Sequence, residues 1–134
     1  LINDFPDSRL LAEAFYALGL ISAAEDKYED AADNFKKALE NPNVVNAAAI
    51  RFKLAEVLEA NSEFEAAIQQ YLLAGESDNQ DTHSSVVAFL RAAKLTEDKE
   101  NFKEALEMYK KVVRKNTPEA KFAQERIDWI NSNR

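Results

Sequence analysis

The feature that most constrains the fold is a threefold internal match in which small and aromatic residues recur at fixed spacing. Ala31 aligns with Ala67 and Ala105 at offsets of 36 and 38 residues. The other matched positions lie twelve and three residues before these alanines and four residues after them: Gly19, Ala55 and Ala93; Tyr28, Phe64 and Phe102; Phe35, Tyr71 and Tyr109. A self-match with a period of roughly 20 to 50 residues is typical of a solenoid, whose units bury their apolar faces by stacking.

Composition and proline placement indicate that the repeated unit is a pair of helices. The chain has 22 alanines and 2 glycines, which favours helix over turn-rich β structure. Pro6, Pro42 and Pro118 divide the chain where helices are expected to stop. Apolar residues at helical spacing then predict seven helices: one that follows a capping Asp7 or Ser8 and ends before Glu25, then 28–40, 44–60, 64–74, 84–96, 102–115 and 118–130.

The predicted architecture is therefore all-α, with three helix pairs and a closing helix. Small residues at two of the matched positions let paired helices approach closely, and the aromatics fill the space between pairs. We expect a single domain with repeats at about 8–42, 44–75 and 82–116 and a capping helix at about 118–131. Because the chain starts at Leu1 rather than Met, we expect it to be a fragment of a longer protein.

The spacing resembles that of the tetratricopeptide repeat, a helix-turn-helix unit with the pattern W-x2-L-G-x2-Y, A-x3-F and P. The first repeat carries this pattern as Phe15-x2-Leu18-Gly19, Ala31-x3-Phe35 and Pro42. The other two repeats keep the alanines and aromatics but depart from the pattern at Arg51, Ala92 and Thr96. The resemblance implies a right-handed superhelix in which the first helix of each pair lines a concave groove that binds extended peptides or short helices.

The groove residues that the resemblance implies fall at matching positions of the three first helices. One residue after the leading position of each helix lie Tyr16, Phe52 and Leu90, which predict an apolar stripe. Four residues further on the same face lie Leu20, Glu56 and Lys94. With a single basic residue in this set, a clamp for a carboxylate terminus is disfavoured. The alternative is that the superhelix itself, or a segment preceding Leu1, covers part of the stripe.

A narrower resemblance concerns the start of the chain. The run Phe5-Pro6-Asp7-Ser8, followed by Ala12, Ala14, Tyr16, Leu18 and Gly19, is similar to repeats of bacterial envelope proteins of the outer-membrane-assembly lipoprotein and Tol-Pal accessory type. This similarity favours a periplasmic or outer-membrane-associated location over a cytoplasmic one.

Charge and residue inventory exclude several function classes. The formal net charge is −7, so the overall field repels nucleic acid. No apolar run reaches the roughly 18 to 20 residues that span a bilayer, and the chain has no Cys and only His83, at a predicted helix start. We therefore expect no enzyme activity, no cofactor and no metal site. We interpret the acidic pair Glu97 and Asp98 as a solvated turn.

Protein–protein interaction through the groove is the function that this sequence predicts, with self-assembly through the terminal helices as the alternative. Trp129 in the last helix either covers the open end of the stack or anchors a further repeat or subunit, with Arg126 and Asp128 expected on the opposite face. A basic cluster, Lys110, Lys111, Arg114 and Lys115, either balances the dipole of its helix or orients a partner.

Overall fold

The computed structural model describes residues 8–77 and 82–133, and all regular structure within these ranges is helical. The helices are α1 (Arg9–Ala24), α2 (Tyr28–Glu40), α3 (Ala47–Ala60), α4 (Phe64–Gly75), α5 (Thr82–Asp98), α6 (Phe102–Arg114) and α7 (Glu119–Asn133). The predicted all-α class is confirmed, whereas the handedness of the superhelix stays a prediction. Ser8 caps α1 as expected, because its side-chain oxygen accepts a hydrogen bond from the Leu11 backbone N–H at 3.1 Å.

Four predicted helix boundaries are wrong by two or three residues. Helix α3 begins at Ala47 rather than at residue 44, because Asn41 organises the preceding residues as a turn. Its carbonyl accepts a hydrogen bond from Val44 N–H at 3.2 Å, and its Oδ1 accepts one from Asn43 N–H at 2.8 Å. Helix α5 extends two residues beyond the prediction at both ends, and α7 continues to Asn133.

The turn inside each helix pair has the same backbone geometry three times. Asp26, Ser62 and Glu100 have φ values of 60°, 63° and 61°, and each lies five residues before a matched alanine. The residue after each one donates its N–H to a carbonyl five residues back, at 2.8 to 3.1 Å. This is the Schellman arrangement that ends a helix with a left-handed residue. The sequence repeat is therefore also a repeat of backbone structure.

The chain divides into two compact units, residues 1–70 and 71–134, with the boundary inside α4. In the first unit α1 packs against α2 and α2 against α3. The core side chains of this unit are Leu11, Ala12, Ala31, Ala32, Phe35, Ala38, Ile50, Leu54, Ala55, Val57, Leu58, Ala67 and Ile68. Gly19 is also buried, so the small matched residues of this unit lie inside, as the close approach of paired helices requires.

In the second unit α5 packs against α6 and α6 against α7. Its core side chains are Tyr71, Ala74, Val86, Ala88, Phe89, Ala92, Ala93, Ala105, Met108, Tyr109, Val112, Ala123, Ile127 and Ile130. The end of α4 is fixed to α5 by the buried Ser85 hydroxyl, which donates a hydrogen bond to the Gly75 carbonyl at 2.6 Å. A β-carbon on Gly75 would lie only 3.0 to 3.1 Å from the Phe89 ring.

Candidate functional site

The first unit contains four of the predicted groove residues, two on α1 and two on α3. Tyr16 is half-buried, and its ring lies 5.8 Å from the Phe35 ring at an interplanar angle of 46°. Leu20, one turn further along α1, is 38% exposed. Phe52 and Glu56 on α3 are both half-buried, and the Glu56 carboxylate lies 3.4 Å from the Lys53 ammonium.

Tyr16 also borders a small notch in the surface of this unit. The notch has a volume of about 20 Å³ and is lined by Arg9, Ala12, Glu13, Tyr16, Val44, Val45, Asn46 and Ile50. Such a space holds about one water molecule or one methyl group. Val45 is 59% exposed, so this part of the unit presents apolar surface to solvent beside the Tyr16 ring.

The second unit contains the other two predicted groove residues, Leu90 and Lys94, both on α5. Leu90 is half-buried and Lys94 is exposed. Leu90 therefore has the same intermediate burial as Tyr16 and Phe52 at the corresponding position of the repeat. Lys94 adds a positive charge near Glu97, and this charge contributes to a lowered pKa of the Glu97 carboxyl.

Glu97 is the centre of a polar network that joins α5, α6 and α7 in the second unit. Its carboxylate accepts hydrogen bonds from the Tyr109 hydroxyl at 2.7 Å and from Arg126 Nε at 3.2 Å, and it forms a close ion pair with Arg126 Nη2. The Glu97 side chain is 15% exposed. The interpretation of Glu97 as part of a solvated acidic turn is therefore wrong, because α5 continues through this residue and turns it towards α6 and α7.

This environment shifts the ionisation of both buried partners. Burial alone would raise the pKa of the Glu97 carboxyl, but hydrogen bonds from Arg126 and Tyr109 outweigh it and hold that pKa below its usual range. Burial and the adjacent Glu97 carboxylate raise the pKa of the Tyr109 hydroxyl. The network therefore holds an ionised carboxylate and a neutral phenol. Neither group has its pKa shifted towards neutral pH, so the arrangement is structural.

Trp129 lies on the outer side of α7. Trp129 is 47% exposed and Phe122 is 42% exposed. The buried face of the helix is formed by Ala123, Ile127 and Ile130. The Arg126 guanidinium lies 4.8 Å from the centre of the Trp129 ring. The expectation that Arg126 faces away from Trp129 is wrong, since this side chain bridges the tryptophan and the Glu97 network.

Metal and membrane features are not found in the part of the chain that the structure describes. Within 8–77 and 82–133, no group of three or more His, Cys, Asp or Glu side chains is arranged to hold a metal ion. Among the same residues, no helix has the length and apolar character to cross a membrane. His83 lies in the first turn of α5 and is exposed, with Nδ1 at 4.0 Å from the Glu119 carboxylate.

The comparisons with known proteins assign the repeat to a family. No curated protein matches the chain. The family model described as soluble NSF attachment protein, SNAP, matches residues 39–124, more than half of the chain. These residues run from the end of α2 into α7, and the family is one of non-catalytic adaptors built from helical repeats like the tetratricopeptide repeat. The chain belongs to the soluble NSF attachment protein family.

Proposed function

We propose that this protein is an interaction scaffold that binds an extended peptide or a short helix along the first helix of each pair. The observation that supports this most is the partial exposure of an apolar side chain at the same position of three repeats, namely Tyr16, Phe52 and Leu90. Each lies three residues before a buried small residue of its helix. The repeat thus leaves an apolar side chain partly exposed to solvent at the same position three times.

An apolar surface of this kind suits peptide recognition. Binding is favourable when peptide side chains cover exposed apolar surface. A notch fixes where one of those side chains binds. In the first unit, Tyr16 offers its ring at the edge of the 20 Å³ notch. The notch is large enough for the terminal methyl of an aliphatic side chain, so we expect the partner to insert a small aliphatic residue there.

The second set of predicted groove residues would set the orientation of the partner. Leu20 is apolar, Glu56 is acidic and Lys94 is basic, so the three repeats offer three different chemistries at one repeat position. Complementary charges at a binding surface contribute more to orientation and specificity than to affinity. We therefore expect a partner segment with a basic residue near Glu56 and an acidic one near Lys94.

The decisive experiment measures binding with each unit altered separately. Variant Y16A/F52A removes the apolar side chains of the first unit, and L90A/K94A removes the predicted contacts of the second. The matched control, F64A/L73A, truncates two side chains of α4 that are 41% and 47% exposed. The family name describes attachment to NSF, so NSF is the first partner to test, followed by proteins captured from soluble and envelope fractions of the source organism.

We expect each groove variant to weaken capture of the wild-type partner by about tenfold or more, while the control retains it. Thermal unfolding of all variants verifies that they fold. Full retention of the partner by both groove variants, in folded protein, contradicts the proposal. If the control variant also loses the partner, the binding surface is not confined to the first helices.

The bacterial envelope resemblance is a finer part of the same proposal. It is carried by the run from Phe5 to Ser8, of which Phe5, Pro6 and Asp7 lie outside the described residues. Ser8 caps α1 in the structure, which supports a repeat boundary there. Recovery of the partner from the envelope fraction supports this location, and recovery from the soluble fraction alone contradicts it.

Self-assembly is the second candidate, and a separate observation favours it. One side of α1 exposes Leu10, Leu18 and Ile21 at 72%, 48% and 56%, and α7 exposes Phe122 and Trp129. Contiguous exposed apolar faces often mark interaction sites. Sedimentation over a range of protein concentrations tests it, with the variant L10S/I21S as the comparison. A wild-type protein that stays monomeric at the highest concentration contradicts this alternative.

A further inference from the structure

The second unit contains an open cavity that neither the groove nor the core explains. It lies where the end of α4, the start of α5 and the end of α6 meet, and its volume is about 600 Å³. The described residues that line it are Gly75, Glu76, Ser77, Thr82, Ser85, Phe89, Lys111, Arg114 and Lys115. This volume is within the range of sites for small molecules or ligand groups, roughly 300 to 1,000 Å³.

Three of the described lining residues are cations. Lys111, Arg114 and Lys115 come from the last turn of α6 and the residue after it, and Glu76 is the one acid among the described lining residues. The Lys111 ammonium lies 3.2 Å from the Glu76 carboxylate and 5.4 Å from the centre of the Phe89 ring. Arg114 and Lys115 are exposed and form no ion pair with another described residue.

Hydroxyl groups line the same cavity as these cations. Ser77 and Thr82 contribute hydroxyl groups, whereas the Ser85 hydroxyl is already used by the Gly75 carbonyl. Thr82 is the first residue of α5, a helix of 17 residues.

From this arrangement we infer that the cavity binds a phosphate monoester or a related phosphoryl group. Among the described lining residues, three cations and one carboxylate leave a surplus of two positive charges, which matches a phosphate dianion better than a single carboxylate. Arginine and lysine together supply the planar and the point-charge donors that phosphate oxygens accept. Dipole compensation explains basic residues at the end of α6, but it requires neither an open cavity beside them nor hydroxyl groups in the lining of that cavity.

The overall charge of the chain makes the inference testable. At a net charge of −7 the protein repels polyanions in general, so binding has to come from a local site. We would titrate the protein with inorganic pyrophosphate, with a short phosphoserine peptide and with the same peptide unphosphorylated, following backbone amide signals by NMR. The expected result is a set of shifts confined to the cavity residues, with no response to the unphosphorylated peptide.

Matched variants separate a local site from diffuse attraction. R114Q/K115Q removes two cations that line the cavity, and K103Q/K110Q removes two exposed cations of the same helix that do not line it. We expect the first variant to weaken phosphoryl binding by about tenfold or more and the second by less than about threefold. E76Q should strengthen binding, because it removes the carboxylate that repels the ligand and pairs with Lys111.

The probes also distinguish the two sources of the phosphoryl group. Binding of pyrophosphate, lost in R114Q/K115Q, supports the site and shows that a free phosphate compound suffices. Binding of the phosphopeptide alone, lost in the same variant, supports the site and assigns it to a phosphorylated side chain of a partner. Equal losses in both double variants, shifts outside the cavity or binding of neither probe would overturn the inference.

Discussion

The ring of Phe35 in α2 occupies the space that a side chain at Gly19 in α1 would need. A β-carbon built on Gly19 would lie 2.6 Å from Phe35 Cδ1 and 3.0 Å from Cζ, well inside contact distance. Phe35 is fully buried and its ring packs against Tyr16. The two helices of the first pair therefore approach each other at a point where one of them has no side chain.

We predict that Gly19→Ala destabilises the first unit although alanine is the better helix former. Helix propensity favours alanine by about 1 kcal/mol, but the new methyl has to displace the buried Phe35 ring. Overpacking of this kind typically costs about 1 to 3 kcal/mol, so we expect a net loss measured by urea unfolding. The cycle with Phe35→Leu provides the check: the loss should shrink when the ring is absent. If Gly19→Ala lowers the unfolding free energy by the same amount in the Phe35→Leu background, the destabilisation does not come from contact with the Phe35 ring.

A second prediction concerns Ala67, the matched alanine of the second repeat. Its side chain is fully buried, so Ala67→Leu has to insert three carbons between packed helices. We expect a fall in unfolding free energy of about 1 to 3 kcal/mol. Ala66→Leu, on the exposed side of the same helix, is the matched control and should stay within about 0.5 kcal/mol of wild type. Equal melting temperatures for both variants would mean that the repeat register is wrong.

The repeat could be predicted from the sequence because its signal lies in residue size at fixed spacing. Ala31, Ala67 and Ala105 are all fully buried, and helix pairs can meet closely only at small residues. The turn geometry carried no such signal. Its left-handed positions are occupied by Asp26, Ser62 and Glu100, three different residue types and none of them glycine, so only backbone hydrogen bonding identifies them as equivalent.

The Glu97 network could not be predicted for a different reason. Glu97 and Asp98 are adjacent acids. Because successive residues of a helix point in different directions, only one of the two can face the interior. That choice depends on α5 extending to Asp98 and on α7 placing Arg126 beside Glu97, 29 residues away in sequence. Local pattern rules contain no information on such a pairing. The predicted groove residues, by contrast, followed from repeat position, and their role stays a prediction.

The third prediction follows from the lowered pKa of Glu97. A carboxyl whose pKa is lower in the folded than in the unfolded state stabilises the fold above its unfolded pKa, about 4.3 for Glu, and this contribution is lost as the pH falls through the folded value. Glu97→Gln should therefore cost about 1 to 3 kcal/mol near neutral pH, because Arg126 loses its buried partner. The difference from wild type should narrow in acid.

The measurement is urea unfolding of both proteins from about pH 7 down to about pH 3. Asp98→Asn, at the exposed neighbouring residue, is the control and should change stability by less than about 0.5 kcal/mol. A difference between wild type and Glu97→Gln that stays constant across this range would show that the lost stability comes from packing and not from the carboxylate charge.

The last prediction uses the left-handed turns. Ser62 is exposed and has a φ of 63°, a conformation that costs an ordinary residue roughly 1 to 2 kcal/mol and glycine almost nothing. Glycine loses more conformational entropy on folding, which offsets part of the gain, so Ser62→Gly should stabilise the protein by about 0.5 to 1 kcal/mol. Ala66→Gly, four residues later on the exposed face of α4, should do the opposite and cost about 1 kcal/mol. Thermal unfolding of the two variants shows whether the change in stability is positive for Ser62→Gly and negative for Ala66→Gly. A lower melting temperature for Ser62→Gly would mean that the Ser62 side chain contributes more to the turn than its left-handed backbone costs.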